Sequence, residues 1–285
     1  MLQKSCYWFL VSIPFAVAAG GFALPALKPV VYIPIWIMLV VLMLLAFLLT
    51  GRRYRLQNAD EFPVVHAIPA LLSGPWLLLS VFFGFGPPPS TVEAWVSESG
   101  EQQLRYGILL FSGVLVATGF TMLALNLKRK REMMFSTAGL TAILLAAPLY
   151  IINMAFWGSF LGEAFKGFAD SGTSVRPDWY LPVRSLFEWI GTTAVALIYV
   201  ATGAFAISLK NSNTFKRTSC NLYLAFSIAG VILSIFGQLL PGPFTDAGFF
   251  VSIPAIPLVM PYLMGINLLG SGSSTQALQR RNNIH

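Results

Sequence analysis

The residues best able to do chemistry in this chain lie at helical spacing inside apolar stretches. Arg184 and Glu188 fall four apart, so one helical face carries both, and that face continues through Gly191, Thr192, Tyr199, Thr202 and Gly203. A base and an acid followed by hydroxyls can line a cavity that opens outward and binds a small polar molecule. The alternative is a pair seated among lipid headgroups, with the Gly and Thr positions letting neighbouring helices approach. Tyr150, Asn153 and Trp157 share a second face by steps of three and four residues. An Asn in hydrocarbon needs a partner. The Arg184–Gly203 stripe offers one, as glue between helices or as part of a ligand site.

Two further features carry possible chemistry. His66 follows Asp60 and Glu61 and precedes Ser73 and Ser80 at seven-residue steps. A group that titrates near neutrality can handle protons there, or it simply meets water and headgroups at a boundary. Pro254, Pro257 and Pro261 crowd one apolar run ahead of Tyr262 and Asn267. Each proline removes a backbone donor, and inside a bilayer the freed carbonyls must find other partners or line a hydrated cavity. That run is the one expected to be kinked or broken, either as a kink used only for packing or as a site, since broken helices are where transporters place their sites.

Other chemistries are excluded by inventory. No Lys falls in mid-span to carry a retinal Schiff base, and the two histidines, His66 and His285, cannot pair on a haem. HExxH, a GxSxG elbow, a P-loop, dinucleotide glycines and paired DxxxD acids are all missing. No catalytic set, no metal cluster and no cofactor is therefore expected. Cys6 and Cys220 carry no CxxC pattern and read as small packing residues.

The elements that must position these residues follow from composition. Of 285 residues 56% are hydrophobic and 10% charged, with a mean hydropathy of +0.72. Soluble domains carry about 25% charged residues, so a soluble domain and a disordered chain both fail. About 20 apolar residues cross a bilayer. The charged residues divide the chain into eight such spans, at Cys6–Leu24, Val30–Thr50, His66–Gly86, Leu104–Leu127, Met134–Trp157, Arg184–Ser208, Ser219–Leu240 and Ala247–Leu269. The fold class expected is an all-α polytopic integral membrane helix bundle. Residues 1–270 form a single transmembrane domain, followed by a flexible Gly/Ser tail over 271–285.

Basic residues stay cytoplasmic. One set of connections holds Lys4, the Arg52–Arg55 cluster, the Lys128–Arg131 cluster, Lys210, Lys216, Arg217, Arg280 and Arg281; the other holds only Lys28, Arg105, Lys166, Arg176 and Arg184. Both termini are thus expected to be cytoplasmic, in a plasma membrane or bacterial inner membrane. The first span has the length of a crossing rather than of a cleaved signal peptide. Two outer segments, Pro87–Gln103 and Gly158–Val183, mix Trp and Tyr with charge and suit the headgroup layer. The net charge of +7 is absorbed by this topology, so nucleic acid is not implied.

The function expected is binding or transport of a small molecule through an outward-facing cavity between the fifth, sixth and eighth spans. Arg184, Glu188, Asn153, Tyr150, Tyr199 and Thr192 would be its contacts, and His66 a proton-handling group. The alternative is a non-catalytic subunit or scaffold of a membrane complex. A membrane enzyme acting on lipid ranks third, since no nucleophile accompanies Glu188, Asp178 or Glu163. The partners expected are membrane lipids with a small-molecule ligand or a membrane protein.

Overall fold

A computed structural model describes residues 2–23, 27–52, 64–89, 91–129, 132–170 and 178–271, with the side chains of 64–66, 238 and 271 excepted. Asp60, Glu61, Arg176, the His66 side chain and the tail after residue 271 therefore lie outside what is described. Among the described residues the chain is helical and has no strand. Seven helices among the described residues are long and apolar enough to cross a membrane, and two more, joined at a bend, pass the same test together as one broken span or a re-entrant loop. The chain has the architecture of an all-α, multi-pass membrane protein.

The first two spans are α1, Leu2–Ala23, and α2, Pro29–Thr50. They pack on each other and are the least buried of the crossings, whereas the third is the most buried. The third span is α3, Val64–Leu79, followed by the single turn α4, Phe82–Phe85, which stops at Gly86 with φ of 65°. A side chain resists that left-handed backbone, and glycine does not.

The fourth span belongs to α6, Ser99–Arg129, preceded by the short α5, Val92–Ser97. The Thr91 hydroxyl accepts from the Ala94 amide at 3.2 Å and caps α5. The fifth span is α7, Met134–Ala155, but the helix does not stop at Trp157. It passes through a π-helical turn, Phe156–Phe160, into the amphipathic α8, Leu161–Asp170. The sixth is α9, Tyr180–Asn211, and the seventh α10, Arg217–Phe236. α9 packs chiefly on α7 and α10.

With 31 and 32 residues, α6 and α9 reach well past the hydrocarbon; at the helical rise each overshoots a ~30 Å core by about 15 Å. The overshooting ends join α5 and α8 in a cap with its own aromatic core, centred on Trp95, Phe156, Phe165 and Tyr180. The described parts of the two segments expected as outer loops largely form this cap.

The stretch expected as the eighth span is broken where its prolines predict. α11, Pro243–Ser252, and α12, Val259–Ser271, meet at an angle of 67° through Ile253–Leu258. α11 approaches the end of α10 so closely that a Cβ on Gly237, the residue that follows α10, would lie 2.6 Å from the Gly248 Cα.

Candidate functional site

The break in the last span is the point on which the fifth and sixth spans converge. Its peptide groups cannot continue one helical ladder: the Leu258 amide bonds back to Ala255, and Pro257 has no amide to give. Side chains from three other helices supply donors instead. The Tyr199 hydroxyl of α9 donates to the Val251 carbonyl at 3.2 Å, and the Tyr150 hydroxyl of α7 donates to that of Pro254 at 3.1 Å. The Trp76 indole of α3 donates to the Leu258 carbonyl at 3.1 Å. All three donors are buried, where an unpaired polar group is costly. Together they latch the bent segment in one position.

Glycines make room for the two tyrosine rings. A Cβ on Gly113 of α6 would stand 2.6 Å from Tyr150 Cδ1, and one on Gly230 of α10 would stand 2.6 Å from Tyr199 Cδ1. Real Cβ atoms do not approach so near, so each glycine seats one ring of the latch.

The remaining expected contacts divide. Asn153 is buried on α7; its Oδ1 accepts the Trp157 indole N–H at 2.9 Å, and its amide lies against Gly191 of α9. It thus meets the sixth span, as its polarity requires. Thr192 is half-buried beside that contact. Arg184 and Glu188 bond each other, Nε to Oε1 at 2.8 Å, with side chains 42% and 49% exposed. They stand on the overshooting part of α9, away from the latch. Tyr150 and Tyr199 meet the same short segment; Arg184 and Glu188 do not join them.

Three polar groupings were not visible in the sequence. At the ends of the helices carrying most of the basic residues, the buried Glu132 carboxylate accepts from the amides of Phe135 and Ser136 at 3.2 and 3.1 Å and from the Ser208 hydroxyl. It closes the N-terminus of α7, where a negative charge suits the helix dipole, and ties it to α9. Tyr7 donates to Asn267, whose amide donates to Tyr223, linking α1, α12 and α10. In the cap, the buried Arg105 donates through Nη2 to the carbonyls of Phe85 and Gly86 at 3.3 and 3.0 Å, with its guanidinium 5.7 and 5.4 Å from the Phe82 and Phe85 ring centres.

A pocket of about 10 Å³ between α2 and α4, lined by Tyr32, Trp36 and Ser80, has room for one water. Among the described residues no group of His, Cys, Asp and Glu is placed to hold a metal ion. No family model, no curated protein and no solved structure matches this chain, so its function has to be argued from its own geometry.

Proposed function

We propose that this chain is a multi-pass membrane protein that binds and transports a small molecule, with the break between α11 and α12 as its moving element. One observation carries the reading: three buried donors from three helices hold carbonyls of a span bent by 67°. A broken helix near mid-membrane gives transporters a place where backbone groups can bind solute. In the latched state two of the protein's own hydroxyls and the Trp76 indole occupy those carbonyls. Release of Tyr150 and Tyr199 would free them for solute and open the space between the fifth, sixth and eighth spans.

The orientation with both termini in the cytoplasm of a plasma-type membrane belongs to this proposal. The basic connections support it, and so does the contact of Tyr7, near the start of α1, with Asn267, near the end of α12. Lipid is the surrounding partner.

The test is thiol accessibility. In a variant lacking Cys6 and Cys220, Ala255→Cys places a thiol at the break. A membrane-impermeant thiol reagent is applied to right-side-out and inside-out vesicles. With interhelical hydrogen bonds in membranes worth ~0.6 kcal/mol each, adding Tyr150→Phe and Tyr199→Phe should raise labelling roughly tenfold. Labelling should be seen from both faces, as alternating access requires. Labelling that stays negligible from both faces, with or without the tyrosines, would make the break a fixed packing element.

The second reading, a non-catalytic subunit of a membrane complex, would then stand. It is favoured by the slight burial of α1 and α2, whose apolar faces are open to lipid or to another protein. Purification in mild detergent would bring down a stoichiometric partner.

A further inference from the structure

The cap holds polar atoms that the fold itself leaves unused. Gln102 is 1% exposed, and neither its Nε2 nor its Oε1 has a partner; Arg105, 7% exposed, leaves Nε without one. Buried amides and guanidinium groups are normally satisfied; two such side chains a helical turn apart on one face here leave two donors, Gln102 Nε2 and Arg105 Nε, and one acceptor, Gln102 Oε1, unpaired. About two turns further along, the same face of α6 carries Ser112, fully buried and also unpartnered. Ser112 is adjacent to Gly113, which seats the latch tyrosine Tyr150. By the helical rise, unused polar atoms run for about 15 Å from the cap to the latch.

We propose that Arg105 and Gln102 form the recognition site for a small monocarboxylate, the solute of the transport reading, on which this inference rests. The charge argues for an anion. Glu101 Oε1 stands 3.8 Å from Arg105 Nη2, at the limit of an ion pair, and its side chain is 28% exposed against 8% for Arg105. Water therefore screens the acid more than the base; Glu98 also acts on the guanidinium, so an incoming anion shares Arg105 with two acids.

The shape argues for a carboxylate. With Phe82 and Phe85 near the guanidinium and Nη2 held by two carbonyls, its free Nε presents an in-plane donor, which suits a flat acceptor. A single cation with one neutral amide matches one negative charge better than the two of phosphate. The Gln102 Nε2 amide would donate to the second carboxylate oxygen. The neighbouring α5, six residues long, rests on Tyr106 through Trp95 at a ring separation of 6.1 Å and would have to shift to admit the ligand.

The test uses the full chain in lipid nanodiscs and its melting temperature as a function of added benzoate, with benzamide and inorganic phosphate as comparators. Benzoate should raise the melting temperature saturably; benzamide and phosphate should not. Arg105→Gln can fail simply by freeing the Phe85 and Gly86 carbonyls, so Gln102→Leu is the deciding variant. It removes a buried unpaired amide and should fold at least as well as the parent. It should weaken the apparent benzoate affinity at least about tenfold, as expected when a buried polar contact to ligand is lost.

No benzoate response in the parent, an equal response to phosphate or benzamide, or an unaltered response in Gln102→Leu would each overturn the assignment. Labelling of Ala255→Cys is read without benzoate. A failed carboxylate site with successful labelling leaves the transport reading standing, and the reverse leaves a binding site without transport.

Discussion

The Tyr262 hydroxyl donates to the Leu10 carbonyl at 2.7 Å, across the interface of α12 and α1. Leu10 lies four residues before Pro14, which sits inside α1. In a helix the amide of residue 14 would bond that carbonyl, and proline has no amide to offer. A tyrosine from the far end of the sequence therefore satisfies an acceptor that a proline exposes. Tyr150, Tyr199 and Trp76 likewise serve carbonyls around the break of the last span, although the residues four further on, Leu258, Ala255 and Tyr262, are not prolines.

This relationship predicts a coupled pair of substitutions. Tyr262→Phe should destabilise the chain by about 1 kcal/mol, since it strands a buried carbonyl. Pro14→Ala returns a backbone donor to Leu10. In that background Tyr262→Phe should cost less, by more than about half of its original effect. Unfolding in bicelles for the four members of the cycle measures the difference. Strict additivity would mean that the Leu10 carbonyl does not depend on Tyr262.

The seats of the latch rings should be as sensitive as the rings. Gly230→Ala places a methyl 2.6 Å from the Tyr199 ring and Gly113→Ala places one equally near the ring of Tyr150. Neither ring can keep its position, so both variants should label at Ala255→Cys about as fast as the Tyr→Phe variants, and should lose ~1–3 kcal/mol of stability by overpacking. Gly100→Ala, with open space at its Cβ, should do neither.

What could be read from the sequence, and what could not, separates along one physical line. Spans, the broken last helix and the Tyr150–Asn153–Trp157 face follow from local periodicity and from proline chemistry, both of which are written in consecutive residues. The cap was missed as structure because α8 buries only Leu161, Gly162 and Phe165 while exposing Glu163, and so reads as a polar loop. The partners of freed carbonyls were not readable because they come from distant helices: Trp76 and Leu258 are 182 residues apart. For Arg184 and Glu188 the spacing places both on one face and leaves open whether that face lines a cavity or meets headgroups, because spacing does not say which way a face turns.

Glu132 should prove more important than any other acid outside the spans. Its carboxylate accepts from two amides and the Ser208 hydroxyl in a buried turn. Glu132→Gln turns one acceptor oxygen into a donor facing other donors, and should cost about 2–3 kcal/mol. Ser208→Ala removes one donor from a carboxylate that keeps two more, and should cost about 1 kcal/mol. Thermal unfolding of both variants gives the ranking. A larger loss in Ser208→Ala would show that the tie to α9, rather than the closure of α7, is what Glu132 provides.

Arg184 and Glu188 should behave in the opposite way. Their bond is short at 2.8 Å, yet both side chains are more than two-fifths exposed and they stand on the part of α9 that overshoots the hydrocarbon. Exposed i,i+4 pairs contribute about 0.3–0.5 kcal/mol, because water screens the charges and two long side chains lose freedom to meet. Glu188→Gln and Arg184→Gln should each change unfolding by under about 1 kcal/mol, with the difference shrinking as salt is added. Neither should alter labelling at Ala255→Cys or the benzoate response, since no bond joins the pair to Tyr150, Tyr199 or Arg105. A change in labelling with Glu188→Gln would instead bring this pair to the moving element, and would require the outer turns of α9 to swing inward during opening.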